Sequence, residues 1–241
     1  MKPYQTIPIQ DCGEPLVPIP SDRFALVQPH PYQALGAPYE NQSPYYLREG
    51  VLTALIEAQT ELQQQRPGWR MQIFDAFRPL AVQRFMVEHT FLAQVQARGW
   101  LAATLTEAQR QQVMAEVVQF WALPSDDPAT PPPHSTGAAL DVTLMDDTGA
   151  VVDMGSPIDE VSPRSHPDHF ADRPDPAQQD YQAHRTLLNQ VMVAAGFRRH
   201  PQEWWHFSLG DQLWAWQQRQ AMGDDNFLAH YGRASVDLGV Q

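Results

Sequence analysis

The sequence predicts an α+β fold: a small, largely antiparallel sheet with helices packed on one side. Three observations carry this. Four or five stretches have helical periodicity, strand-like segments are fewer and short, and the two kinds do not alternate regularly enough for a doubly wound parallel sheet. An apolar fraction of 43% in 241 residues is enough for a substantial core. One domain is expected over 1–241, with a proline-rich arm at about 1–45.

In chain order, the first helix is expected over 48–65, where Val51, Leu52, Leu55, Ile56 and Leu62 fall near one face. A mixed strand follows at 69–77. A second helix over 79–99 opens on Pro79, whose missing N–H costs little at an early position. A third, over 104–123, begins with a capping-box pattern, Thr104 and Glu107. A strand at 138–144 alternates: Ala138, Leu140, Val142 and Leu144 share one face, and Ala139, Asp141 and Thr143 the other. A helix over 176–196 closes on Gly196, suited to the left-handed position after a helix end. An aromatic strand at 203–209 and a short helix from Asp211 to about Met222 complete the chain. The 22 prolines cluster in the segments between these elements, which read as ordered loops.

A net charge of −12 argues against a nucleic-acid partner, which would need a basic face, and fits a protein acting on something small. The single cysteine, Cys12, allows neither an internal disulfide nor a cysteine-rich zinc site. No apolar run approaches the roughly 18 residues of a membrane span. The first twenty residues lack an apolar signal-peptide core, so a cytoplasmic location is expected.

Three stretches carry chemistry. In "HSTGAALD" (134–141), His134 and Asp141 are plausible zinc ligands, provided that a turn at Gly137 brings His134 round to the face of Asp141. Taken alone, the pair reads more simply as a His–Asp hydrogen bond with no metal. "EWWH" (203–206) adds His206 and a carboxylate, Glu203, suited to proton transfer. Regular strand geometry would point these two to opposite faces, so the chain must bend or Glu203 must precede the strand. The alternative is an aromatic core strand with a hydrogen-bonded histidine. "DAFRP" (75–79) puts Arg78 at a strand-to-helix junction, able to meet an oxyanion or a carboxylate, or else to pair with Asp75 at the surface. His166, Asp168 and His169 form a rival patch that reads as a solvated loop. His30, His89, His184, His200 and His230 show no partner pattern and read as surface or capping histidines.

Together, five short blocks in order resemble the zinc D-alanyl-D-alanine dipeptidases of the VanX type, over about 48–209: "DAFRP", "HSTGAALDVTL", "MGSPID" (154–159), "RSH" (164–166) and "GFRRHPQEWWHF" (196–207). The resemblance implies the fold of the D-Ala-D-Ala metallopeptidase superfamily, also called Hedgehog-like. It implies one zinc per chain on His134, Asp141 and His206, Glu203 as general base and acid, and Arg78 at the tetrahedral intermediate. It implies that Asp159 receives the free ammonium of a small dipeptide. The sequence departs at Pro132, where the family has a serine, and at Ile158, where it has an aromatic residue. These departures keep two other readings open: a related cell-wall peptide carboxypeptidase or endopeptidase, and a non-hydrolytic zinc-binding module.

Overall fold

The computed structural model describes residues 2–234; Met1 and 235–241 lie outside it. The central sheet has five strands: β2 (Ala25–Leu26), β4 (Arg70–Asp75), β5 (Ala139–Met145), β6 (Arg198–Arg199) and β7 (His206–Ser208). Their order is β2-β4-β5-β7-β6, and all pairs are antiparallel except β2 with β4. A separate antiparallel pair joins β1 (Leu16–Pro18) to β3 (Tyr46–Arg48). The chain is therefore α+β, with the largely antiparallel sheet that its sequence predicts.

The helices are α1 (Pro31–Ala34), a single turn; α2 (Glu49–Gln65); α3 (Leu80–Ala97); α4 (Glu107–Phe120); α5 (Pro176–Ala194); and α6 (Gln212–Met222). The alternation in β5 is obeyed. Leu140, Val142 and Leu144 join Met71, Ile73 and Phe207 in the main core, covered by Val51, Leu55 and Leu62 of α2 and Leu187, Leu188 and Val191 of α5. α3 and α4 build a second core with Tyr32, Tyr39 and Trp121, against which Phe74 of β4 packs. Phe74 neighbours Ile73 in the strand and so points to the opposite face. The candidate site lies between the sheet and this second core.

The expected capping box at Thr104 and Glu107 is absent. Thr104 ends a short 3-10 turn, its hydroxyl donating to Leu101 O, and the capping box is made two residues later by Thr106 and Gln109. Asp211 caps α6, accepting from Trp214 N at 2.8 Å. Gly196 (φ 94°) follows the end of α5 as expected.

Candidate metal centre and active-site cavity

Asp141 and His206 are direct cross-strand partners on β5 and β7, so their side chains share one face of the sheet. His134 arrives from a 3-10 turn, Pro133–Thr136, that ends at Gly137 in the left-handed conformation (φ 71°). A Cβ at Gly137 would stand 2.3 Å from Leu16 Cδ2, so both the turn and its packing require glycine. The turn that the sequence demands of His134 is thus present.

The three side chains are buried and their ligand atoms lie within 4.8 Å of one another. His134 Nε2 is 3.1 Å from His206 Nδ1 and 3.3 Å from Asp141 Oδ2, and His206 Nδ1 is 3.0 Å from Asp141 Oδ1. A tetrahedral zinc with bonds near 2.0–2.1 Å would separate its ligand atoms by about 3.3 Å. Hydrogen bonds on the far ring nitrogens favour the matching tautomers. His134 Nδ1 donates to Ala76 O (2.8 Å), and His206 Nε2 faces Ser208 Oγ (3.4 Å), which donates to Asp211 Oδ2 (2.9 Å). Both inner nitrogens are left with lone pairs. The donor set fits a zinc ion on its own chemistry.

The electrostatics agree. Burial would raise the Asp141 carboxyl, but His134 and then His206 outweigh it and hold the group far below the usual range. Burial lowers His134, yet Asp141 beside it outweighs that and leaves the imidazole above its ordinary value. Proton and metal compete for this site.

Glu203 lies in the turn before β7, so it escapes strand alternation and reaches the same cavity. Its Oε2 is 3.9 Å from His206 Nδ1 and its Oε1 is 3.6 Å from His200 Nδ1. Burial, then the Asp141 charge, pushes its carboxyl well above the usual range, and Lys2 opposes them. Arg78 is buried, not a surface partner of Asp75. Its Nε and Nη2 both donate to Asp75 Oδ2 (2.9 and 2.7 Å), and its Nη1 donates to Gln83 Oε1 (2.9 Å). Nη2 also stands 3.5 Å from Asp141 Oδ2, and the guanidinium lies over the rings of Tyr32 and Trp121. Asp75 is anchored in turn by His30 Nε2 and Tyr39 Oη, each 3.1 Å from Oδ1.

Asp159 faces the same cavity, with a left-handed backbone (φ 65°) uncommon outside glycine. Tyr32 Oη donates to its Oδ2 at 2.6 Å. Burial, then the Asp141 charge, pushes the Asp159 carboxyl up to about 7. All six residues singled out in the sequence (Arg78, His134, Asp141, Asp159, Glu203 and His206) therefore line one cavity of about 40 Å³.

Sequence reasoning missed four residues here: Lys2, Tyr4, Tyr32 and His200. His200 is buried beside Glu203, and burial holds its imidazole well below the ordinary value. His30 is a cap, as expected, since its Nδ1 accepts from Tyr32 N, but it is fully buried. His166 and Asp168 are exposed and join no metal-like cluster among the described residues. The "MGSPID" and "RSH" blocks meet at Arg185 of α5. Its guanidinium donates to Met154 O, Arg164 O, His166 O and Ser156 Oγ, and Ser156 Oγ accepts from Trp204 Nε1. That network holds the turn carrying Glu203.

The family model described as D-ala-D-ala dipeptidase, peptidase M15, matches residues 26–228. A D-alanyl-D-alanine dipeptidase of Synechocystis sp. is 52% identical over 239 residues, 97% of each chain. One of Enterococcus faecium is 29% identical over 170 residues, covering 70% of this chain and 73% of its own. Among solved structures, the vancomycin-resistance D,D-pentapeptidase VanY in complex with Zn(II) shares 15% identity at a TM-score of 0.44, over 86% of this chain and 89% of its own.

Proposed function

Because this chain belongs to the D-Ala-D-Ala dipeptidase family of peptidases, we propose that it hydrolyses D-Ala-D-Ala, or a close D,D-dipeptide, at a zinc site made by His134, Asp141 and His206. The observation that carries this reading is the convergence of three buried donors with Glu203, Arg78 and Asp159 on one small cavity. One zinc ion per chain, held by those donors, would polarise the scissile carbonyl and bring a water's pKa near neutrality. The remaining work falls to the chain's own groups. Glu203 takes a proton from the attacking water and passes it to the leaving amine. Its buried, proton-hungry carboxyl suits that role. Arg78, fixed by Asp75 and Gln83, turns a guanidinium edge to the carbonyl oxygen as charge grows there. Asp159, oriented by Tyr32, takes the substrate's free ammonium. An acylated amine carries no charge and would leave the buried Asp159 carboxylate with the Tyr32 hydroxyl but no cation.

A second reading, a peptidase acting on amine-blocked wall peptides, is favoured by Pro132, which sits in a run of three prolines with no N–H to offer substrate. D-alanine release from D-Ala-D-Ala and from N-acetyl-D-Ala-D-Ala separates the two. Cleavage of the free dipeptide alone is expected. Comparable cleavage of the acetylated one moves the protein to the second reading.

A further inference from the structure

The family match begins at residue 26, yet two residues before it line the cavity with the ligand set: Lys2 and Tyr4. They sit on a 3-10 turn, Pro3–Thr6, that is firmly tied down. Lys2 N donates to Gln5 Oε1 (2.8 Å), and Gln212 Nε2 of α6 donates to Ile7 O (2.6 Å). Gln10 N donates to Ala229 O (2.8 Å) and Ala229 N to Pro8 O (3.0 Å), while Tyr4 and Ile7 are buried. This segment is a wall of the site.

Among the described residues, no carboxylate oxygen lies within 4.0 Å of the Lys2 ammonium. A half-buried cation facing a cavity without a partner is costly unless an anion joins it. Lys2, Glu203 and Asp159 all line this one cavity, so an anion beside Lys2 would share it with an ammonium at Asp159. A dipeptide is a zwitterion with an ammonium at one end, a carboxylate at the other and its scissile bond between. Pro133, which also lines the cavity, has no N–H to give a carboxylate.

We propose that Lys2, from outside the family's matched region, receives the C-terminal carboxylate of the dipeptide. With Tyr4 it closes the cavity beyond that carboxylate, which restricts the enzyme to substrates ending there. This rests on the dipeptidase reading. It makes the site bipolar, Asp159 reading the amine and Lys2 the acid, so that chain length is measured from both ends.

The test compares D-Ala-D-Ala with its C-terminal carboxamide, using protein with any purification tag at the C-terminus. One charge-assisted contact is worth about 10- to 150-fold, so wild type should prefer the free acid by about that factor in kcat/KM. Lys2→Met should bring the ratio of acid to amide close to one, with the loss in KM rather than kcat. Lys2→Arg should keep most of it. Wild type that cuts the amide as well as the acid, or a Lys2→Met variant with the wild-type ratio, overturns the assignment. Wild type that cuts neither overturns the dipeptidase reading and Lys2's role with it.

Discussion

Tyr32→Phe removes one oxygen and leaves the ring that packs in the second core. That oxygen donates to Asp159 Oδ2 at 2.6 Å and accepts from Arg78 Nη2 at 3.3 Å. Asp159 must be ionised to take an ammonium, and its carboxyl is pushed up to about 7, by burial first. A raised carboxyl is protonated as pH falls through its pKa, so kcat/KM of the wild type should decline below about pH 7. The Tyr32 hydrogen bond, and after it the Arg78 charge, restrain the rise. A hydrogen bond to a charged group contributes about 1.5–3 kcal/mol, and about 1.4 kcal/mol is one pKa unit. Losing it should move the acid limb up by about one to two units. At pH 7 the ionised fraction then falls from about one half to about 1–10%, a loss of about 5- to 50-fold. Above the shifted limb the activity should largely return. The assay is kcat/KM for D-Ala-D-Ala against pH for both proteins. A variant whose activity drops by one constant factor at every pH, with its acid limb unmoved, refutes the reasoning.

Two further outcomes are expected. Arg185→Met should cost stability rather than chemistry: it strips the guanidinium donors from the carbonyls of Met154, Arg164 and His166 and from Ser156 Oγ, for about 3 kcal/mol in total, and should lower Tm by about 6–12 °C in a thermal melt. Because Asp141 holds the His134 imidazole above its ordinary value, acid protonates that ligand and should expel bound zinc. Metal content measured after dialysis that stays unchanged at about pH 4 means the ligands are misassigned.

Much of the site was legible because its geometry follows from local rules. The alternation of β5 separates Asp141 from Leu140 and Val142, and Gly137 marks the turn that His134 needs. The odd spacing of Glu203 and His206 forces one of them out of the strand, and the chain solves this by starting β7 at His206. What stayed hidden depends on contacts between distant segments. Tyr32 sits on a single helical turn too short to show periodicity, and it meets Asp159 across 127 positions. His200 is a local exception: it follows β6 directly, three residues before Glu203, and its Nδ1 stands 3.6 Å from Glu203 Oε1. Lys2 and Tyr4 lie in an arm whose prolines read as connection, and the hydrogen bonds from Gln212 and to Ala229 seat it over the cavity. The capping box moved by two residues because Thr104 finds a nearer partner in Leu101 O.

The central claim is that His134, Asp141 and His206 hold a zinc ion while Glu203 moves the proton. Zinc content and D-Ala-D-Ala turnover, measured on the same preparations of wild type and Glu203→Ala, test it most directly. The expected result is one zinc per chain in both proteins, with turnover in the variant lower by about 100-fold or more. A variant that stays active shows that Glu203 is not the base, and wild type that binds no zinc removes the metal centre from the account.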